Sequence, residues 1–395
     1  MSPLLRTRNG VAAAFALNGF CFATVVTRLP DLRSGLGLDN GSLGLLLLAV
    51  SVGSIVALPT SGRLIDRFGA TSVVRAGAVC VAGGLTVAMA GAASGQVWLT
   101  AVGFFVNGVG IGIWDVSMNV EAAEVERRLG RTIMPRFHAG WSIGSIAGSA
   151  IGIPMAAVHA PLLLHVAGLA VLALVATWVS AATFLPAHAH AESAAGEGPG
   201  DPSKAVVSPW REPRTLAIGV MVLAFAISEG TANDWLSLGL IDGYDAPHWV
   251  GVAGFSLFVV AMTTGRLLGP LLLDRWGRVP VLWATAAASF VGSILVVVGQ
   301  LGVLVVLGIV VWGLGAALGF PVGISAAADD PRRSARRVGT VSTIGYGAFL
   351  AGPPLLGQLG DRVGTLEALL AVAVVMVPAA LSVAAARPER VPAAA

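Results

Sequence analysis

SGRLIDRFG at residues 61–69 and LLLDRWGR at residues 271–278 decide how this chain folds. Each stretch sits between two apolar segments. The shared core is Asp66–Arg67–x–Gly69 in the first and Asp274–Arg275–x–Gly277 in the second, 208 residues apart. A connection this short needs glycine for a sharp turn. The same loop at the same place in two halves reads as an internal duplication in parallel topology, one of the repeat types from which transporters are built.

Composition agrees. Of 395 residues 56% are hydrophobic and only 11% charged, with mean hydropathy +0.83. Soluble domains carry about 25% charged residues, so the chain is a membrane protein. A span needs ~20 apolar residues. Cutting at charged and turn-forming clusters gives twelve: 10–29, 41–62, 72–93, 97–119, 136–158, 161–185, 214–240, 249–271, 279–299, 301–326, 338–360 and 365–386. The predicted fold class is an all-α polytopic membrane protein, with twelve transmembrane helices in two pseudo-symmetric six-helix bundles. With the N-terminus inside, 21 of the 24 Lys and Arg residues fall on the cytoplasmic side and three, Arg28, Arg33 and Arg362, outside. This asymmetry places both termini in the cytoplasm. The basic start MSPLLRTRNG leads into an apolar run without a convincing cleavage site and reads as an uncleaved first helix. The net charge of +3 is a topology signal, not a nucleic-acid surface.

Residues 187–213 are polar and rich in Pro and Gly. They read as a flexible cytoplasmic linker between an N-terminal bundle (1–186) and a C-terminal bundle (214–395). His188 and His190 in this tract, and Cys21 and Cys80 in apolar runs, have no metal-ligand or disulfide spacing. Neither metal nor cofactor is expected.

GRLIDRFG fits the G-x-L-x-D-R-x-G signature of the major facilitator superfamily through Gly62, Leu64, Asp66, Arg67 and Gly69. The signature's following basic residue is missing, Ala70 standing there, whereas the second copy has Arg278 but a displaced first glycine, Gly269. TRLPDLRSGLGL (27–38), residues 112–144 and SEGTANDW (228–235) resemble the MosC/YbjJ-like branch. Within that branch MosC is associated with rhizopine, an inositol-amine derivative, and the branch is distantly similar to sugar permeases. The resemblance implies that the two Asp-Arg-x-Gly loops (Gly62, Asp66, Arg67, Gly69; Asp274, Arg275, Gly277) latch the cytoplasmic helix ends and govern two access states. It also implies a monomer. GQLGDRVG (357–364) repeats the pattern but falls outside on this topology.

Charged residues inside spans are costly and usually face a cavity or a partner. Glu229 and Asp234 lie in the seventh span, Arg28 at the end of the first. At ~1.5 Å per residue all three fall in the outer half. Arg28 could pair with either acid, or Arg28 and Asp234 could sit at the interface beside Pro30 and Trp235. Asp115 and Asn119, one helical turn apart, and His138 form a second group. It reads either as a titrating Asp–His pair or as a structural clamp. Candidate substrate-binding residues are Asn18, Arg28, Asn107, Ser145, Glu229, Asn233, Trp312 and Tyr346; candidate proton-coupling residues are Glu229, Asp234, Asp115 and His138. Gly140, Gly144, Gly148 and Gly152 recur every four residues in the fifth span, a stripe suited to close helix packing.

The leading functional expectation is a secondary active transporter of a small solute, moving it by alternating access. No nucleotide-binding loop is present, so energy would come from an ion gradient, most simply protons carried by Glu229. The substrate reads as sugar- or cyclitol-like. Proton-driven efflux of amphipathic compounds and a non-transporting sensor on the same fold stay open; no enzymatic constellation has usable spacing. The expected partners are a small-molecule substrate, a coupling ion and the lipid bilayer, with no nucleic acid.

Overall fold

A computed structural model describes residues 3–38, 40–186, 208–300 and 302–389. The described residues are helices and short connections, without a strand. The N-terminal half holds α1 (Pro3–Val26), the short α2 (Leu29–Gly35), α3 (Asn40–Phe68), α4 (Ala70–Ala93), α5 (Val97–Leu129), α6 (Met134–Ala157) and α7 (Leu162–Ala181). In the C-terminal half α8 (Pro213–Thr231) passes through a π-helical turn, Ala232–Leu236, into α9 (Ser237–Tyr244). Then follow α10 (His248–Trp276), α11 (Arg278–Val298), α12 (Val303–Ala316), α13 (Gly319–Ala327), α14 (Ser334–Val363), α15 (Thr365–Ala368) and α16 (Ala371–Ser382). These make twelve long rods, six per half. Ten are long and apolar enough to cross a membrane. In α6 and α14 the Gly, Ser, Thr and Pro content lowers the hydropathy.

The repeated glycines make the corners. Gly69 (φ 78°) alone separates α3 from α4, and Gly277 (φ 79°) alone separates α10 from α11. A Cβ is strained at such φ. Gly364 (φ 102°) turns α14 into α15 in the same way, so the third Asp-Arg-x-Gly copy is also a helix corner. Duplication shows again inside the bundles. A Cβ on Gly84 would stand 2.5 Å from the backbone nitrogen of Asn107, and one on Gly292, 208 residues later, 2.4 Å from that of Trp312. Both glycines let neighbouring helices touch backbone to backbone.

Two expectations change here. Arg266, one of the 21 Lys and Arg residues counted as cytoplasmic although it falls within span 249–271, lies inside α10, 4% exposed, which lowers that count by one. The fourth span runs ten residues further than its apolar stretch, to Leu129, because the acids at its end are capped by protein. Glu126 Oε2 accepts from the backbone nitrogens of Ile133 (2.7 Å) and Met134 (2.6 Å), and Glu121 Oε1 from that of Leu185 (2.6 Å). Most of the proposed linker, 187–207, lies outside the described residues; Pro209–Arg211 forms a 3-10 turn before α8.

Candidate functional site

A polar layer lies between the halves. Glu229 on α8 and Arg266 on α10 form an ion pair, Arg266 Nη2 to Glu229 Oε2 2.8 Å, with side chains 15% and 5% exposed. Arg266 Nη1 donates across the interface to Ser142 Oγ of α6 (3.2 Å), and Nε to the Ala317 carbonyl (3.4 Å). Every guanidinium nitrogen therefore has an acceptor, the condition for holding a cation in an apolar site. Tyr346 of α14 and Asp115 of α5 are neighbours across the interface. Asp115 Oδ2 is buried without a hydrogen-bond partner among the described residues. Counted at ~1.5 Å per residue from the helix ends nearest the termini, these groups lie ~12–24 Å deep.

His138 completes the layer. Asn119 Nδ2 donates to the Asp115 carbonyl (2.9 Å), which turns its Oδ1 toward His138 Nε2 at 3.2 Å. That orientation makes Nε2 the protonated, donating nitrogen. The ring is held edge-on by Phe15 of its own half (centroids 5.1 Å) and Phe320 of the other (5.6 Å). Of the two sequence readings, the direct Asp115–His138 pair is not formed: Asn119 stands with His138, and Tyr346 with Asp115.

On the face that carries the termini, the halves are closed by reciprocal contacts. Asp66 accepts from Arg336 Nε of α14 (2.7 Å), and Asp274 from the backbone nitrogen of Thr132, between α5 and α6 (3.0 Å). The acid of each Asp-Arg-x-Gly loop thus reaches the opposite half. A Cβ on Gly62 would lie 2.8 Å from the Ala335 carbonyl, so α3 and α14 cross at backbone contact there. Ser325 of α13 donates to Glu126 Oε1, a further tie between the halves. Arg67 and Arg275 take no part in it; each covers the ring of the next residue, Phe68 or Trp276.

The other candidates are spread out. Arg28 does not pair with Glu229 or Asp234. Its Nε holds Asp31 (2.7 Å), Nη1 reaches His165 Nδ1 (3.1 Å) and Nη2 donates to the Ala160 carbonyl (2.7 Å), which ties α1 to the α6–α7 corner. Asn18 Oδ1 accepts from Trp141 Nε1 (3.0 Å), and Ser145 Oγ donates to the Gly19 carbonyl (3.1 Å), both between α1 and α6. Asn107 packs its backbone on Gly84. Trp312 is fully buried within the C-terminal half, its Nε1 on Ser228 Oγ (2.9 Å). Asn233 and Asp234 are exposed on the π turn. Among the described residues no three His, Cys, Asp or Glu side chains are grouped to hold a metal.

Sequence reasoning missed Arg266, Ser142 and Glu126. Arg266 had a readable signal. It stands eight residues before Asp274, ~12 Å inside the helix by its rise, too deep for a loop cation. Ser142 had none, because a serine in a Gly-Ser helix is indistinguishable from packing.

Comparison with known proteins places this geometry. The family model "Major Facilitator Superfamily" matches residues 11–329 and 248–395. The chain is 32% identical over 389 residues to "Uncharacterized transporter y4wD" of Sinorhizobium fredii, covering 94% of this chain and 98% of the relative. It is 26% identical over 375 residues to "Membrane protein MosC" of Rhizobium meliloti, covering 92% and 86%. Among solved structures it is similar to the E. coli fucose:proton symporter FucP, with TM-score 0.78, 13% identity, 97% of this chain and 99% of that one. This is a multi-pass membrane transporter: the chain belongs to the Major Facilitator Superfamily.

Proposed function

We propose that the protein carries a small polar solute, sugar- or cyclitol-like, across the bacterial cytoplasmic membrane by alternating access coupled to protons. Both termini are cytoplasmic in this reading, so the closed face is the inner one and the state described is outward-facing. The bundles comprise residues 1–186 and 214–395 and rock about the polar layer, with Asp66 and Asp274 as inner latches. The observation that carries the proposal is the Arg266 guanidinium, which holds Glu229 in its own half and Ser142 in the other at mid-depth. A charged group shared across a moving interface is suited to sensing both solute and proton. Glu229 is the proposed proton carrier, with Asp115 beside it; Tyr346, His138 and Ser142 supply donors and acceptors for hydroxyl groups, as a small-molecule site requires. The similarity in fold to a fucose:proton symporter supports the substrate class and the coupling ion. We take the monomer as the transporting unit.

The test is uptake into proteoliposomes across a panel of sugars and cyclitols, with and without an imposed pH gradient. Gradient-driven accumulation of one of them is expected, and Glu229→Gln is expected to abolish accumulation while sparing exchange. Full accumulation by that variant would remove Glu229 from the coupling role. Stabilisation by lipophilic cations, with no response to any polyol, would favour efflux.

A further inference from the structure

We infer that Arg28, Asp31 and His165 form an acid-sensitive clasp at the outer corner of the N-terminal half. It joins the α1–α2 connection to α7 while His165 is neutral, and opens when His165 takes up a proton from that side. The cluster belongs neither to the polar layer nor to the inner latches. The TRLPDLR stretch (27–33) that supplies two of its members has no other part in the proposed cycle. Only the naming of this face as outer rests on the proposed orientation.

The state of the ring follows from hydrogen-bond chemistry. Arg28 is 2% exposed and His165 8%. Arg28 Nη1 lies 3.1 Å from His165 Nδ1. A guanidinium only donates and stays charged, so Nδ1 is the bare, accepting nitrogen and the ring carries its proton on Nε2. Nε2 is buried without a partner among the described residues. The guanidinium is fixed from its other nitrogens, Nε on Asp31 (2.7 Å) and Nη2 on the Ala160 carbonyl (2.7 Å), so it cannot turn away without breaking both bonds. A proton on Nδ1 removes the acceptor and sets an imidazolium against the guanidinium in a buried place, where like charges repel strongly. Moving the ring outward relieves that repulsion and lets water supply the acceptor that Nε2–H lacks.

The surroundings leave Arg28 and Asp31 as the charged groups that face His165. The outer halves of α1, α4 and α6, which meet at this corner, carry no Asp, Glu, His, Lys or Arg; Cys21 of α1 is buried. His159 is exposed on the α6–α7 connection. The Asp31 side chain is 32% exposed, so the cluster reaches water on this face. A Cβ on Gly152 of α6 would stand 2.0 Å from Thr27 Oγ1. The end of α1 is therefore seated on α6 independently of His165, and what the clasp governs is the seat of α7.

The experiment reads the distance between α2 and α7 directly. Spin labels are placed through S34C and L164C, both exposed positions, in the full-length protein carrying C21A and C80A. Their separation is measured by pulsed electron paramagnetic resonance between pH ~8 and ~5, the range in which histidine changes charge. One separation is expected at the higher pH and a second, longer one at the lower. H165Q keeps an accepting oxygen but cannot take a charge, so it is expected to hold the short separation throughout. H159Q is expected to respond as the native chain does. D31N keeps His165 and removes the one negative charge that faces it, so the change is expected at lower pH. An unchanged separation in the native chain overturns the clasp. So does a response that survives in H165Q, one lost in H159Q, or a change in D31N at the same or higher pH. None of these measurements reads uptake, so they leave coupling through Glu229 to its own test.

Discussion

Arg266→Gln tests whether the Glu229–Arg266 pair is the energetic centre of the interface. Both side chains are well below a third exposed, 15% for Glu229 and 5% for Arg266, so solvent screening is slight. Removing one partner of a buried pair costs about 3–5 kcal/mol, because the remaining charge is stranded. Removing both, as E229Q/R266Q, strands none, and such replacements are often close to neutral. The double variant is therefore expected to be more stable than R266Q, with a coupling energy of at least about 3 kcal/mol in a double-mutant cycle. The assay is reversible unfolding by sodium dodecyl sulfate in mixed micelles, followed by helix content, for the wild type, both single variants and the double. Additivity of the single effects within about 0.5 kcal/mol would refute the reasoning. So would a double variant less stable than R266Q.

Other perturbations have different signatures. Arg336 and Asp66 are 49% and 36% exposed, so their bond is worth ~0.2–1 kcal/mol. R336A should barely change stability but shift the access equilibrium by up to ~5-fold, read as slower labelling of a cysteine placed at Asn233 on the open side. A Cβ on Gly144 would stand 1.8 Å from the Ala16 carbonyl, whereas Gly168 has nothing within 4 Å. G144V should abolish the monodisperse peak in size-exclusion chromatography and G168V should keep it. Equal behaviour of the two would show that α1 and α6 are not locked by backbone contact. S142A removes an acceptor from a charged donor, a bond worth about 1.5–3 kcal/mol. Its effect should appear in the rate of solute exchange rather than in proton dependence; a changed proton dependence would mean that Ser142 does more than bridge.

The twelve spans were legible because bilayer thickness fixes the apolar length and arginines mark the loops. The structure extends several of them at the closed face, where protein rather than lipid surrounds the helices, as for α5 beyond residue 119. Glu229, Asp115, His138 and Tyr346 were legible as polar groups in apolar runs, and all four lie in the polar layer. Their partners were not. Arg28 took Asp31, three residues away in sequence, and His165, which no local pattern could supply. The π turn at Ala232–Leu236 leaves no trace in apolar periodicity, since its one extra residue is absorbed by the helices on either side.

Under the proposed alternating access, the location of Arg266 lets a cation stay in an interface that opens. In the proposed transport cycle a charge in the bilayer is costly whenever its counter-charge is missing. Glu229 belongs to the same half as Arg266, so while Glu229 is ionised the pair can travel intact when the halves separate. What crosses the interface from Arg266 is the bond to Ser142, a single hydrogen bond to a neutral hydroxyl. Breaking a bond of this kind costs about 1.5–3 kcal/mol, and a solute hydroxyl or a water can replace the lost partner. Were the ion pair itself split between halves, each transition would strand two charges at about 3–5 kcal/mol or more. The polar layer thus keeps its expensive interaction inside one rigid body and leaves the less expensive one at the moving surface, where a bound solute can replace it.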